Sequence, residues 1–490
     1  MSTLPPATPS ETAVLASGGR ISFGGFLLRL MARLPFLFIA GRLYGADGVG
    51  RFAYAIMVVE LTAMLATLGL KRGLAADLAA TDPLGDRPHV HVVADALLLA
   101  WLAALAGAAL LIALPQIVFP STPYSGFDRF FPLIALAVAT SDISLAALAY
   151  RHDIAVQVRA RSVVEPWTLT VVAAGLGFTA FKPDGLIIAY VVSMLAAAAA
   201  SLSPCVRSFG WPRGWRPSLA RMTAMARTHI PLAGADIADW GSRRLDIFLL
   251  GRFASAEVIG IYFVAQNIAS LPAKLKNSFD PILAPLLTTN LARGDTQTAA
   301  GHVRQVAFWV CAAQLGTVLA LGMPGRAGMG LFGPAFASGA LVLALLLTVE
   351  LLAAQAAVAE AALIYVRRGA NLLWSVAGIA VQVAVTLLFV ERWGGVAAAG
   401  GLAVAALFLS IAKSRLLRAT WGARVSGWRW SLVAAAVPAF AIGLGVQRLP
   451  EWLQLGVGVW VILGVYATCA WWWSFRGPDR LLFRPRAATP

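Results

Sequence analysis

Residues 38–55 read FIAGRLYGADGVGRFAYA, and residues 248–265 read FLLGRFASAEVIGIYFVA. The two stretches align without a gap at a constant offset of 210 residues. Identities fall at Phe38/Phe248, Gly41/Gly251, Arg42/Arg252, Ala46/Ala256, Gly50/Gly260 and Ala55/Ala265, with an acidic pair at Asp47/Glu257. Carried upstream, the same offset pairs Arg33 with Arg243 and Gly24 with Gly234. Self-similarity at a fixed period marks a duplicated architecture, so the chain is expected to contain one unit twice.

The solvent for that unit follows from composition. The 490 residues are 59% hydrophobic and 13% charged, with a mean hydropathy of +0.76, against about 25% charged in a soluble domain. This is a polytopic membrane chain. Fourteen apolar segments can be counted, at about residues 21–40, 52–70, 92–114, 131–150, 163–181, 186–202, 229–250, 258–277, 303–323, 339–360, 371–390, 394–411, 431–447 and 452–473. Segment one corresponds to segment seven. Because six segments separate them, the copies share one orientation, which predicts two parallel six-helix lobes related by an axis along the bilayer normal. The last two helices are appended. The expected division is residues 1–19 as a mobile cytoplasmic N-terminus, 20–203 as the N-lobe and 204–228 as a basic linker lying in the membrane interface. Residues 229–413 form the C-lobe, 414–475 the last two spans and 476–490 a cytoplasmic tail.

With both termini inside, 27 of the 39 basic residues fall in cytoplasmic segments, among them Lys71, Arg72, Arg159, Arg161, Lys413, Arg415 and Arg418. Eight fall outside, including Arg42, Arg51 and Arg252. The asymmetry obeys the positive-inside rule. The net charge of +16 is accounted for by that rule and by anionic membrane lipids as partners; no nucleic-acid partner is expected. The cysteines Cys205, Cys311 and Cys469 are scattered and imply no disulfide framework. The histidines and acidic residues have no metal-ligand spacing, and no phosphate-cradling Gly-rich loop is present. No metal and no cofactor are therefore expected, nor a removable signal peptide, because the polar N-terminus leads into a full-length apolar segment.

Four basic residues remain inside segments one and seven: Arg29, Arg33, Arg243 and Arg244. Segment seven reads DIADWGSRRLD over residues 236–246 and so also carries Asp236, Asp239 and Asp246. A charge at mid-bilayer costs at least about 2.5 kcal/mol, so intramembrane ionisable residues face something polar and mark function by default. Arg29 and Arg33 share one helix face at i, i+4, as do Asp239 and Arg243. Four guanidinium forks match phosphate oxygens, which makes Arg29, Arg33, Arg243 and Arg244 the candidate substrate-binding set. The competing reading is permanent salt bridging. Asp236, Asp239 and Asp246 admit two roles, counter-charge or ion coupling through H⁺ or Na⁺. Arg42 and Arg252 follow the outer ends of the paired segments and are candidate gate residues. Glu60, Asp95, Asp142, Glu350 and Glu360 are expected to be helix-packing partners.

The Gly-Arg step followed by an acidic residue and a Gly before an aromatic span, in GRLYGADGVGRF and in GRFASAEVIGIYFVA, resembles the multidrug/oligosaccharidyl-lipid/polysaccharide exporter superfamily. Within it the chain is similar to polysaccharide-type lipid-linked oligosaccharide flippases. The second half carries the stronger match, through Asp246 in LDIFLLG, Gly260 and Tyr262 in IGIYFVAQNI, and Pro281 and Pro285 in DPILAPLL. The resemblance implies lobes around a central cavity, alternating access and a substrate carried on a polyprenyl diphosphate. It also implies a bacterial inner-membrane location, service to O-antigen, capsule or exopolysaccharide synthesis, and glycan polymerase and chain-length machinery as partners. A cation-coupled multidrug exporter of the same superfamily is the first rival, and four Arg residues suit cationic drugs poorly. An embedded glycan polymerase or ligase is the second; the short outer loops argue against such an enzyme.

Overall fold

The computed structural model describes residues 31, 33–84, 88–119, 127–277, 280–476, 479 and 480, with the side chains at 82–84, 154, 235, 238, 239, 242, 243, 273–277, 280–282, 284 and 285 outside that description. Among the described residues the chain is helical with no strand. It divides into two compact units, Met1–Phe248 and Leu249–Pro490.

In the first unit, α1 (residues 33–44) ends on a π turn at Ala40–Tyr44, and Gly45, at φ +72°, breaks the axis. A left-handed φ is the province of glycine. Then follow α2 (Gly45–Ala66), α3 (Leu70–Leu84), α4 (His89–Ala113) and α5 (Ala135–Tyr150). The segments Ile154–Val158, Arg159–Val164 and Glu165–Leu176 run on as α6, the middle one a π turn. Finally come α7 (Gly185–Phe209) and most of α8 (Leu219–Phe253).

The second unit repeats the order. It holds α9 (Ala256–Asn277), α10 (Asp280–Ala292), α11 (Thr296–Gly322), α12 (Ala340–Val366), α13 (Arg368–Trp393) and α14 (Gly395–Trp421). The offset of 210 residues persists well beyond the quoted stretch: Leu70, the first residue of α3, maps to Asp280, the first of α10, and Gly185 of α7 maps to Gly395 of α14. After the duplicated part, α15 (Trp430–Val446) and α16 (Val459–Trp473) pack on α11. There Ala435, Ala439, Ile462 and Tyr466 bury against Leu319, and the Tyr466 hydroxyl donates to the Ala312 carbonyl at 2.9 Å.

Two helices were not expected. Residues 71–91 and 278–302 read as loops, yet α3 and α10 occupy them. Leu70, Leu74 and Leu78 are fully buried, and Leu283 and Leu287 of α10 are buried with Leu291 packed beside them. Each is an i, i+4, i+8 stripe, too narrow for a hydropathy scan to register as a span. The expected interfacial linker also differs. Residues 210–218 are not helical, whereas 219–228 are the first turns of α8. At 35 residues that helix is roughly 50 Å long and overshoots a hydrocarbon core of about 30 Å. Trp215 and Arg221 of this region close over the buried Asp95 of α4, at 2.8 and 3.1 Å.

Nine helical stretches among the described residues are long and apolar enough to cross a membrane, and Trp430–Val446 is a shorter apolar one. The count falls below fourteen because charges interrupt the apolar run in α8 and, through Arg159, Arg161 and Glu165, in α6, and because Arg33–Thr81 counts once. The chain is a multi-pass, all-helical membrane protein.

Candidate functional site

Helix α8, which carries the DIADWGSRRLD run, is held by α3 at two points. His229 Nε2 lies 2.8 Å from Asp77, and Arg72 Nε lies 2.7 Å from Asp236. Two glycines permit this approach. A Cβ at Gly69 would stand 2.3 Å from the His229 carbonyl, and one at Gly73 would stand 2.1 Å from the His229 ring. Asp236 is 7% exposed. One of its oxygens takes the Arg72 guanidinium, and the other has no hydrogen-bond partner among the described residues.

A second ionic group lies among α2, α3, α5, α6 and α7. Arg161, in the π turn of α6, bonds Asp142 of α5 through one amino group and Glu165, one turn on, at 2.8 Å through the other. Lys71 of α3 reaches the second Asp142 oxygen at 3.4 Å. Glu60 of α2 accepts from the Tyr190 hydroxyl of α7 at 3.5 Å and interacts electrostatically with Arg244, Arg161 and Glu165. A π turn widens the helix and re-aims one side chain, and such turns recur at functional sites. Here it turns Arg161 so that one guanidinium spans two helices. Desolvated charges are tolerated only when every partner is in place, so this group acts as one unit.

The sequence-derived residues distribute as follows. Arg29 lies outside the described residues, as do the side chains of Asp239 and Arg243. Arg33 is half-buried on α1, and Arg244, half-buried on α8, belongs to the Glu60 group. Asp236 pairs with Arg72, and Asp246 is 1% exposed. Arg42 is exposed, its guanidinium 5.6 Å from the centre of the Phe38 ring, and Arg252 is exposed in the last turn of α8.

Several residues assigned to loops by charge counting belong to helices instead. Arg161, Lys71 and Arg72 serve the two groups above, and Lys413, 2% exposed on α14, meets Glu360 at 2.9 Å and Ser375 at 3.0 Å. Arg51, expected in an outer loop, sits in α2 and pairs with Asp128 and with Asp184 at 3.1 Å. Sequence reasoning missed Arg161 and Glu165, although their i, i+4 spacing beside a long apolar run was the available signal. Glu60, Asp95, Asp142 and Glu360 do find helix-packing partners. No three His, Cys, Asp or Glu side chains converge on a metal-sized site among the described residues.

Duplicated helical bundles with ionic groups among their spans define a multi-pass, all-helical membrane protein. The sequence model of a family described as polysaccharide biosynthesis protein matches residues 39–310, more than half of the chain, and the chain belongs to that family. Its fold is similar to that of the lipid II flippase MurJ in an inward closed conformation, with a TM-score of 0.73 at 10% identity over 95% of this chain and 99% of that one. An inward-facing multidrug resistance MATE family transporter of the MOP superfamily is similar at a TM-score of 0.61 and 15% identity, over 79% of this chain and 98% of the other. An outward-facing one gives 0.53 at 15% identity, over 86% and 99%. The polysaccharide-type resemblance seen in the Gly-Arg steps is thereby borne out by the family model, and the fold it implies by the structural matches. No curated protein matches the sequence.

Proposed function

We propose that the chain is a flippase that carries a polyprenyl-diphosphate-linked oligosaccharide from the inner to the outer face of a bacterial inner membrane by alternating access, with both termini cytoplasmic. The glycan feeds O-antigen, capsule or exopolysaccharide assembly. Membership of a polysaccharide biosynthesis family and a fold similar to that of a lipid II flippase support this reading. The observation that carries it is the ionic group on Glu60, Asp142, Arg161 and Glu165, kept inside membrane helices where a purely structural chain would place apolar residues. Sugars and a diphosphate do not cross hydrocarbon unaided, whereas the polyprenyl tail can stay in lipid.

In this reading Arg29, Arg33, Arg243 and Arg244 bind the diphosphate, and Arg42 and Arg252 gate it. Asp236, Asp239 and Asp246 neutralise the arginines or take up H⁺ or Na⁺. Asp236 suits the second role because one of its buried oxygens pairs with Arg72 while the other has no hydrogen-bond partner among the described residues. A charge moved through the potential gains about 2.3 kcal/mol per 100 mV. The expected result is that Arg33→Glu combined with Arg243→Glu abolishes surface glycan in a deletion strain while folded protein persists at wild-type level. Wild-type glycan in that strain would overturn the reading. The mass of the lipid-linked intermediate that accumulates in the deletion strain identifies the sugar.

A further inference from the structure

The second unit holds a cavity of about 1390 Å³ among α11, α12, α14, the 422–429 connection and the segment after α16. Its rim is cationic. Arg304, Arg415, Arg418, Arg424 and Arg476 line it, all exposed, and none has a salt bridge among the described residues. Asp479 is the single carboxylate of the described lining, and Arg429 already neutralises it, through bonds of 2.6 and 3.2 Å. Five guanidiniums therefore surround one concavity whose single described carboxylate is already paired with a sixth, Arg429.

The wall is also held in place. Gly422, at φ +66°, closes α14 on the Arg418 carbonyl at 2.8 Å. The Gln355 carboxamide then fixes the connection from both sides, donating to the Val425 carbonyl at 3.4 Å and accepting from the Gly427 amide at 2.9 Å. A Cβ at Gly427 would stand 2.2 Å from the Phe308 amide nitrogen, so the connection lies flat on α11. Arg429 stacks 3.8 Å above the Phe308 ring and donates to the Ser474 carbonyl at 2.8 Å. Ser414 also lines the cavity, and its buried hydroxyl has no hydrogen-bond partner among the described residues.

Beyond the rim the lining turns apolar, through Leu351, Leu352, Leu407 and Ile411. Leu407 and Ile411 are 47% and 44% exposed, and Trp428 and Trp430 stand at the same end as the arginines. Exposed Trp side chains beside Arg are the mark of the membrane–water boundary. A cation-rimmed pocket at that depth, continuous with lipid-facing leucines, fits an amphiphile: phosphate at the rim and chain along the helices. A soluble polyanion would leave the apolar wall unused. Basic pockets between membrane helices hold anionic lipid headgroups in this way.

We infer that this cavity is a binding site for an anionic phospholipid of the adjoining leaflet, its phosphate held by Arg415, Arg418 and Arg424. The inference does not depend on the transported substrate. It is tested on the purified full-length chain by native mass spectrometry with added phosphatidylglycerol or phosphatidylcholine. Phosphatidylglycerol should be retained and phosphatidylcholine lost. Arg415→Gln with Arg418→Gln should weaken retention roughly 30-fold, Arg415→Lys with Arg418→Lys should keep most of it, and Arg368→Gln on α13 should change nothing. If the Gln pair fails to fold by thermal melting, Arg424→Gln with Arg476→Gln carries the same expectation. Equal retention of both lipids, or undiminished phosphatidylglycerol in a folded Gln variant, overturns the inference. So does displacement of phosphatidylglycerol by equimolar undecaprenyl phosphate, which would make the cavity a polyprenyl site.

Discussion

The two units share one helical frame and differ in what they bury. At the offset of 210 residues, Glu60 of the first becomes Ser270 in the second, Asp142 becomes Leu352, Arg161 becomes Asn371 and Glu165 becomes Ser375. Lys71, Arg72 and Asp77 of α3 become Pro281, Ile282 and Leu287 of α10. The first unit thus ties α2, α3, α5, α6 and α8 together with charge. The second packs the corresponding helices through an apolar cluster of Leu283, Leu287, Val303, Val358 and Leu363, keeping among its described residues two separate pairs, Lys413 with Glu360 and Arg429 with Asp479. Apolar packing meets the stability need of such a bundle at no desolvation cost. A connected ionic group in the first unit, where the second keeps isolated pairs, therefore points to a task beyond holding helices together.

The sharpest way to break this contrast is to give the first unit the second unit's residues. The triple variant Asp142→Leu, Arg161→Asn, Glu165→Ser removes the three mutually bonded members of the ionic group together, leaving Glu60 with Arg244 and the exposed Lys71 to solvent. Replacing mutually paired buried charges together is often near neutral, whereas removing one partner costs about 3–5 kcal/mol. The triple variant should therefore fold and lose glycan export. Arg161→Met alone should fall in thermal stability, because it strands Glu165 and leaves Asp142 with the exposed Lys71 alone. Wild-type export by the triple variant would show that the group is scaffolding, and the contrast would then concern packing alone.

A smaller effect separates the paired glycines. A Cβ at Gly185 would stand 2.6 Å from the Tyr44 hydroxyl, which donates to the Ala173 carbonyl at 2.6 Å, whereas one at Gly395 would meet Tyr262 at an ordinary 3.5 Å. Gly185→Ala should cost about 1–3 kcal/mol by overpacking, and Gly395→Ala should be near neutral or slightly stabilising as an Ala inside a helix. Thermal melts of the two variants read the difference directly. Equal shifts would mean that the corner at Tyr44 yields as easily as its counterpart.

The smallest expected effect lies at the helix starts. Asp295 caps α11, accepting from the Thr298 amide at 2.9 Å, whereas α4 begins after Pro88 with no side-chain cap. Hydrogen bonds from the Thr298 hydroxyl and amide hold the Asp295 carboxyl below its ordinary range. A carboxylate with a lowered titration stabilises the fold above its unfolded-state pKa, and that contribution disappears as pH falls through the folded value. Amide exchange at Thr298 should accelerate on acidification through that window, while the first turn of α4 shows no such step. Asp295→Asn should abolish the pH dependence and retain much of the cap.

Much of this was legible in the residues. The Gly-Arg steps at Arg42 and Arg252, each ending one helix with Asp47 or Glu257 in the first turn of the next, carried the duplication and the resemblance, because cations suit helix C-termini and anions N-termini. The candidate site was legible only in part. Arg244 and Asp236 stood out by position, but their neighbours Glu60 and Arg72 lie 184 and 164 residues away along the chain. Nothing local identifies such partners. Arg161 was hidden further, because beside an inner boundary it satisfied the positive-inside rule as well as any loop residue would.

By itself the sequence determined the solvent, the helical class, the doubling and the presence of costly charges within spans, since each of these follows from composition, period or hydropathy summed along the chain. Tertiary structure alone decided which charges meet. It turned Arg161 through a π turn onto two helices, brought α3 against α8 over two glycines, and gathered arginines from two helices, a connection and the segment after α16 around one cavity. An ion pair is set by distance in space, and spacing along the chain reports that distance only within one helix.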